Sequence, residues 1–281
     1  LEKYADLHIH STASDGIFTP SDIVKLAKQK GFSCIALADH DTVGGVKEAL
    51  KTGSYGGLKV IPAVEMSTLY DGGEVHILGY YVNIDDGQFL QCLSRIAQAR
   101  IERAQGMVKK LQNLGIEITW EDVLREGSDM NSIGRPHIAR VLLKKGHISA
   151  ISEAFTSDYI GRNGKAYVER YEITPAEAIK IITNAGGIPV LAHPGFFRKT
   201  SRLKRNDIEY FVAEGLRGIE VYHTKHTSND TNFYHNIACE MKLLITGGSD
   251  CHGDKNEEIL LGKIKLPYEY VNNLRQAASI S

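Results

Sequence analysis

The feature that most constrains this chain is a recurring pattern: short apolar runs, each closed by a histidine or an acidic residue, with helical segments between them. The first run carries Asp6-Leu7-His8-Ile9-His10 and leads into Ser11-Thr12-Ala13-Ser14-Asp15. Side chains alternate along a strand, so His8 and His10 face one way while Leu7 and Ile9 face apolar packing. An isolated His-x-His serves a metal or a pair of satisfied histidines equally well, and the rest of the chain has to choose. Cys34 to Ala38 is a continuous apolar run, as expected of a strand buried on both faces, and ends in Asp39-His40-Asp41. Leu58 to Val64 stops at Glu65, and Val75 to Val82 carries His76 near its start. Later, Ile188 to Ala192 runs into His193-Pro194-Gly195, Gly218 to Tyr222 ends at His223, and Leu243 to Thr246 opens into Gly247-Gly248-Ser249-Asp250-Cys251-His252.

Between these runs lie helices with recognisable starts. Thr19-Pro20-Ser21-Asp22 and Thr174-Pro175-Ala176-Glu177 have cap chemistry with proline at the first helical position. Val43 to Lys51, Asn206 to Gly215 and Asn229 to Met241 also have helical character. Strands alternating with helices, with polar residues at the strand carboxyl ends, describe an α/β barrel of about seven strands rather than a sandwich or bundle. From about Gln88 the period changes: Leu90, Leu93, Ile96, Ile101, Ala104, Val108, Leu111 and Leu114 fall at helical spacing. The chain then continues through Thr119-Trp120-Glu121-Asp122 to Gly134-Arg135-Pro136-His137 and a helix with Ile138, Val141, Leu142 and Leu143. This sets residues 94–169 apart as a helical insertion between barrel segments 1–93 and 170–281.

The 281 residues suffice for such a barrel with an insertion, and 42% hydrophobic with 24% charged residues is ordinary for a globular protein with a sizeable core. A formal net charge of −1 argues against bulk coating of duplex nucleic acid. The four cysteines, Cys34, Cys92, Cys239 and Cys251, are scattered without Cys-x-x-Cys spacing, which suits reduced thiols in a cytoplasmic protein. No stretch has the roughly 20 apolar residues of a membrane span, so no membrane partner is expected.

The candidate ligands are His8, His10, Asp15, His40, Glu65, His76, His193, Asp250 and His252. That is more than one metal takes, since zinc uses about four ligands, and two or three ions sharing bridging carboxylates would use them all. Mixed imidazole and carboxylate donors suit manganese, iron or zinc. Divalent ions lower the pKa of water and neutralise phosphoryl and leaving oxygens, which is what phosphate ester hydrolysis demands. No Gly-x-Ser-x-Gly elbow, P-loop or dinucleotide fingerprint supports another chemistry.

In this order, DLHIHSTASDG, ALADHDT, AVEMS, EVHILGY, LAHPG and GGSDCH resemble the motifs of the PHP (polymerase and histidinol phosphatase) family. Within that family the chain is most similar to the branch with a helical insertion, which holds 3',5'-nucleoside bisphosphate phosphatases and 5'-3' exoribonucleases. The resemblance implies a distorted (β/α)7 barrel with a trinuclear centre. One ion would take His8, His10, Glu65 and Asp250, a second Glu65, His76 and His193, and a third Asp15, His40 and His252. Manganese is the first expectation, with iron or zinc as alternatives. The implied substrate is a small phosphorylated nucleotide or a short oligonucleotide. A histidinol-phosphate-type phosphatase and a metal-loaded nucleotide-binding module are the competing readings.

Substrate contacts are expected from Arg135, suited to bidentate phosphate binding, and from His137, both in a motif that binds the non-scissile phosphate in the resembling branch. Arg198, in the basic run Arg198-Lys199-Thr200-Ser201-Arg202-Leu203-Lys204-Arg205, is expected to meet anionic substrate. His223 would contact phosphate or protonate the leaving oxygen. Asp39 and Asp41 are expected to orient their neighbours rather than bind metal. His147, His226 and His235 are expected to be ordinary polar histidines.

Overall fold

A computed structural model describes residues 2–126, 133–169, 171, 173–197, 202–253 and 259–279. Arg198 lies outside the described residues. The chain divides into two compact units, Leu1–Cys92 with Glu172–Ser281, and Leu93–Tyr171.

The first unit is an α/β barrel. Its strands are β1 (Tyr4–Ile9), β2 (Cys34–Leu37), β3 (Lys59–Tyr70), β4 (Gly73–Tyr80), β5 (Ile188–Leu191), β6 (Gly218–His223), β7 (Leu244–Gly248) and the two-residue β8 (Leu266–Pro267). They form one sheet in the order β7-β6-β5-β4-β3-β2-β1-β8. The sheet curls until β1 meets the chain leaving β7: Asp250 donates its backbone N–H to His8 O at 2.9 Å, and His10 N–H to Cys251 O at 3.0 Å. The barrel is therefore nearly closed.

Its helices are α1 (Pro20–Gln29) and α2 (Val46–Gly56), then, beyond the second unit's elements, α6 (Pro175–Asn184), α7 (Arg205–Ala213), α8 (Ser228–Glu240) and α9 (Tyr268–Ser279). Thr19 and Thr174 accept the N3 backbone N–H of α1 and α6 with their hydroxyls, as the cap patterns predict, and Thr227 does the same for α8. Strand β2 shows why its apolar run is continuous. Cys34 and Ala36 pack with Leu7, Ile61 and Val190 in one buried cluster, and Ile35 and Leu37 pack with Ile23, Val24 and Ala27 of α1 in another. Burial on both faces leaves no polar position.

Three departures from a simple strand–helix repeat matter for the site. First, β4 runs antiparallel to both β3 and β5. Asp71 and Gly72, at φ 46° and 74°, make the two-residue turn between them. Two successive positive φ values are the mark of the tight hairpin connection that Asp-Gly favours. Second, β3 continues past Glu65 to Tyr70, so Glu65 lies within a paired strand opposite Leu78. Third, the β1–β2 register slips between Asp6 and Ile9, where β1 spends one residue more than β2. Leu7 and Ile9 consequently reach different apolar clusters.

The second unit is helical. It holds most of α3 (Gly87–Asn113), with α4 (Trp120–Leu124) and α5 (Arg135–Lys144). Ala104, Met107, Val108 and Leu111 of α3 pack with Ile138, Val141 and Leu142 of α5 around a core of their own. Among the described residues no helix is long and apolar enough to cross a membrane.

Candidate metal centre

The barrel strands and the loops after them deliver the proposed ligands to one place. His8 is on β1 and His10 just beyond it; Asp15 follows in the loop to α1, and His40 follows β2. Glu65 is on β3 and His76 on β4, whose reversed direction brings a residue near its start beside the far half of β3, with His76 opposite Ser67. His193 follows β5, and Asp250 and His252 follow β7.

Glu65 is the hub. Its Oε2 lies 3.2 Å from His8 Nε2, 3.2 Å from His10 Nε2 and 3.1 Å from His40 Nδ1. Its Oε1 lies 2.8 Å from His76 Nδ1 and 2.9 Å from His193 Nε2. Asp250 Oδ1 is 3.2 Å from His10 Nε2, 3.7 Å from His8 Nε2 and 3.5 Å from His252 Nδ1. Asp15 meets His252 Nε2 at 3.3 Å, His10 Nδ1 at 3.8 Å and His40 Nε2 at 3.9 Å. Among the described residues four groups have donor atoms within 4.8 Å of one another: His8, His10, Glu65 and Asp250; His10, Asp15, His40 and His252; His40, Glu65 and His76; and His8, Glu220 and His223.

This donor set fits divalent cations. His8 Nε2, both ring nitrogens of His10, His40 Nδ1 and Glu65 Oε2 are buried without a hydrogen-bond partner. Polar atoms sealed from water without partners are costly, and coordination is what satisfies them. The imidazoles and carboxylates otherwise compensate one another. Burial pushes Glu65 up, but the charges of His40, His8 and His76 hold it well below the usual carboxylate range. Asp250 is likewise held down against burial by the imidazoles of His10, His223 and His8 beside it. Burial pushes His10 down, yet the nearby carboxylates of Asp250, Glu65 and Asp15 carry it up to about 10. At His40 burial wins and the imidazole falls to about 4.

The surrounding residues hold this geometry. Asp39 accepts from Ser11 N and Ser11 Oγ, both at 2.7 Å, and from Ser14 Oγ at 2.6 Å, which pins the loop carrying Asp15. Asp41 Oδ1 accepts from Ser67 N at 2.9 Å. Backbone at two of the ligand positions is unusual: φ is 27° at His193 and 54° at Asp250. Left-handed conformations at non-glycine residues persist where the surroundings over-determine them.

Two buried carboxylates beside the site escaped the sequence reading. Glu220, fully buried on β6, places Oε1 and Oε2 3.0 and 3.2 Å from His8 Nδ1, and its Oε2 accepts the His193 backbone N–H at 2.8 Å. With Nδ1 committed to Glu220, Nε2 is the His8 nitrogen turned toward Glu65 and Asp250. The signal was present: a single carboxylate in the buried strand Gly218-Ile219-Glu220-Val221 has to have partners. Asp6 is a second such residue, accepting at Oδ1 from Ser249 N at 2.9 Å and His8 N at 3.3 Å, with burial raising its carboxyl to about 7.

His223 has a fully buried side chain. Its Nδ1 accepts the Lys225 backbone N–H at 3.1 Å, which leaves Nε2 to carry the proton, 3.5 Å from Asp250 Oδ2. In the second unit, Arg135 opens α5 with its guanidinium 5.6 Å from the Phe155 ring centre, and His137 Nδ1 accepts Gly134 N–H at 3.1 Å. His147, His226 and His235 bond locally, His226 to Val221 O and Gly195 N.

A hub carboxylate shared by five imidazoles at the rim of an α/β barrel defines a metal-dependent hydrolase site, and the comparisons agree. The PHP domain model matches residues 6–172, and the chain belongs to the PHP family. It is 33% identical to a 5'-3' exoribonuclease of Haemophilus influenzae, over 90% of this chain and 91% of that one. It is 31% identical to a 3',5'-nucleoside bisphosphate phosphatase of Chromobacterium violaceum, over 88% of this chain and 86% of that one. A crystal structure from Bifidobacterium adolescentis, described as a metal-dependent phosphoesterase, superposes with a TM-score of 0.83 at 30% identity, covering 97% of this chain and 95% of that one. The protein is a metal-dependent phosphoesterase of the PHP family.

Proposed function

We propose that the protein hydrolyses the 3'-phosphate of a nucleoside 3',5'-bisphosphate. The metal-dependent part of the reading is carried by the division of labour at Glu65, with three imidazoles on one oxygen and two on the other, and the bisphosphate is supported by the 31% identical phosphatase relative. Such a carboxylate suits a bridge between ions. One ion would be held by His8, His10, Glu65 and Asp250, a second by Glu65, His76 and His193, and a third by Asp15, His40 and His252. Manganese is the metal of first choice, with iron or zinc as alternatives on the same donors. When bound, such ions supply Lewis acidity toward phosphoryl oxygens and make water nucleophilic near neutral pH.

The chain's own residues do the rest. Glu65 and Asp250 fix the imidazoles around a common centre, Glu220 turns His8 Nε2 toward it, and Asp39 anchors the Asp15 loop. Arg135 and His137 bind the phosphate that is not cleaved, a role supported by resemblance to the phosphatase branch and by the forked donor geometry of arginine. The expected compartment is the cytoplasm.

Adenosine 3',5'-bisphosphate incubated with the manganese-loaded protein is expected to release one phosphate per molecule. The Arg135→Ala variant is expected to raise KM at least tenfold for the bisphosphate with kcat little changed, a charge-assisted bond being worth about 1.5–3 kcal/mol. Turnover no greater than that of an Asp250→Ala control would reject the reading. The exoribonuclease relative favours a second one, stepwise 5'-3' removal of nucleotides from short RNA. A 5'-phosphorylated oligoribonucleotide shortened faster than the bisphosphate is consumed would favour it.

A further inference from the structure

The turn after β6 presents an ammonium to the site that the ligand inventory does not use. The hollow at the metal centre is lined by His40, Glu65, His76, His193, Asp250 and His252, and also by Glu74, Phe196 and Lys225. Among the described residues Lys225 is the lysine or arginine on that wall. Its Nζ lies 3.1 Å from Asp250 Oδ2 and 4.9 Å from the Phe196 ring centre, and its side chain is 46% exposed.

Asp250 is two-sided. Oδ1 faces His8, His10 and His252, whereas Oδ2 faces Lys225 and His223. Lys225 is thus one carboxylate's width from the imidazole cluster, on its open side. His223 is poorly placed to meet substrate: its side chain is fully buried, and its Nε2, 3.5 Å from Asp250 Oδ2, makes no hydrogen bond. The Lys225 main chain is fixed, its N–H bonded to His223 Nδ1 and the neighbouring Thr224 hydroxyl bonded to Ser249 O at 3.1 Å. Beyond that anchor the flexible four-carbon stem brings the ammonium over the exposed ring of Phe196, where it is able to exchange Asp250 for another oxygen.

We propose that Lys225 is a catalytic residue that donates a charge-assisted hydrogen bond to the leaving oxygen of the ester, with Phe196 as its support. In the reaction the water oxygen bonds to phosphorus, the P–O bond pair passes to the leaving oxygen, and that oxygen ends with a proton derived from the water. Lys225 keeps its own proton throughout. Negative charge grows on the leaving oxygen only as the bond breaks, so a donor aimed there stabilises the transition state more than the bound ester.

The inference rests on phosphoester chemistry and not on the nucleotide reading, so the test uses two esters without a nucleoside: p-nitrophenyl phosphate, whose leaving group is stable as an anion, and β-glycerophosphate, whose alkoxide is not. The full-length manganese-loaded protein is compared with Lys225→Met and Lys225→Arg, with bound manganese counted in each. Lys225→Met is expected to lose 10- to 100-fold in kcat/KM on β-glycerophosphate and less than threefold on p-nitrophenyl phosphate, with manganese content unchanged. Lys225→Arg, which keeps a cationic donor, is expected to recover much of the loss. Equal losses on both esters, no loss on either, or a fall in manganese content in Lys225→Met would each overturn the proposal. Absent turnover of either ester by the parent protein would overturn it as well. Failure of the nucleotide reading shows separately, as simple esters cleaved while the bisphosphate is spared.

Discussion

At the scale of single residues the site depends on committed hydrogen bonds as much as on its ligands. Glu220 joins His8 on β1 to the backbone of His193 after β5, so one carboxylate aligns two proposed ligands from different strands. Partners of this kind commonly carry 10- to 100-fold in metal affinity. Glu220→Ala is expected to weaken manganese binding by about that factor in calorimetric titration, while Glu220→Gln, which keeps an acceptor of the same shape, loses less. His8→Ala serves as the reference: it is expected to abolish hydrolysis and to leave the circular dichroism of the folded protein nearly unchanged. If Glu220→Ala binds manganese as the parent does, the aligning role is wrong.

At the scale of elements, the approach of β7 to β1 decides whether the first ligand can be where it is. Gly248 ends β7, and a Cβ added there would lie 2.3 Å from His8 Cβ and 2.4 Å from His8 N. Neither contact is relieved by a side-chain rotation, since one atom is backbone and the other is bound to it. Gly248→Ala is therefore expected to push β1 and β7 apart, costing about 1–3 kcal/mol in stability and much of the manganese affinity. Chemical denaturation with parallel metal titration checks both, and a Gly248→Ala protein of parent stability would show that the strands yield more easily than packed interiors do. The β3–β4 hairpin acts at the same scale. Its Asp71-Gly72 turn reverses the chain and carries His76 back beside β3, which a crossover helix would not do.

At the scale of the whole molecule, the two units each have a core, and the candidate metal centre belongs to the barrel unit. A ligand that binds only the folded state adds RT ln(1 + [L]/Kd), about 2.7 kcal/mol at a hundredfold excess over Kd. For a unit of this size that corresponds to a rise of roughly 5–10 °C in its unfolding temperature. Differential scanning calorimetry is expected to show the barrel transition rising with manganese and falling with a chelator, with the helical unit's own transition unmoved. A scan in which manganese shifts nothing would contradict the assignment of the cluster to metal.

The amino-acid sequence by itself determined the alternation of apolar strands and helices and the barrel class, and marked out which residues to consider as ligands. Those follow from short-range rules: apolar period, cap residues and the requirement that polar side chains leave a buried strand at its end. Tertiary structure decided what depends on pairing between distant segments. It reversed β4, carried β3 past Glu65, and drew Glu220 to His8 across 212 residues of chain. It also buried His223 and left Lys225 at the site wall, although the two are neighbours on one turn. No local pattern encodes such choices, because which buried carboxylate meets which imidazole is settled by the register and closure of the sheet, and only the closed barrel makes those partners adjacent.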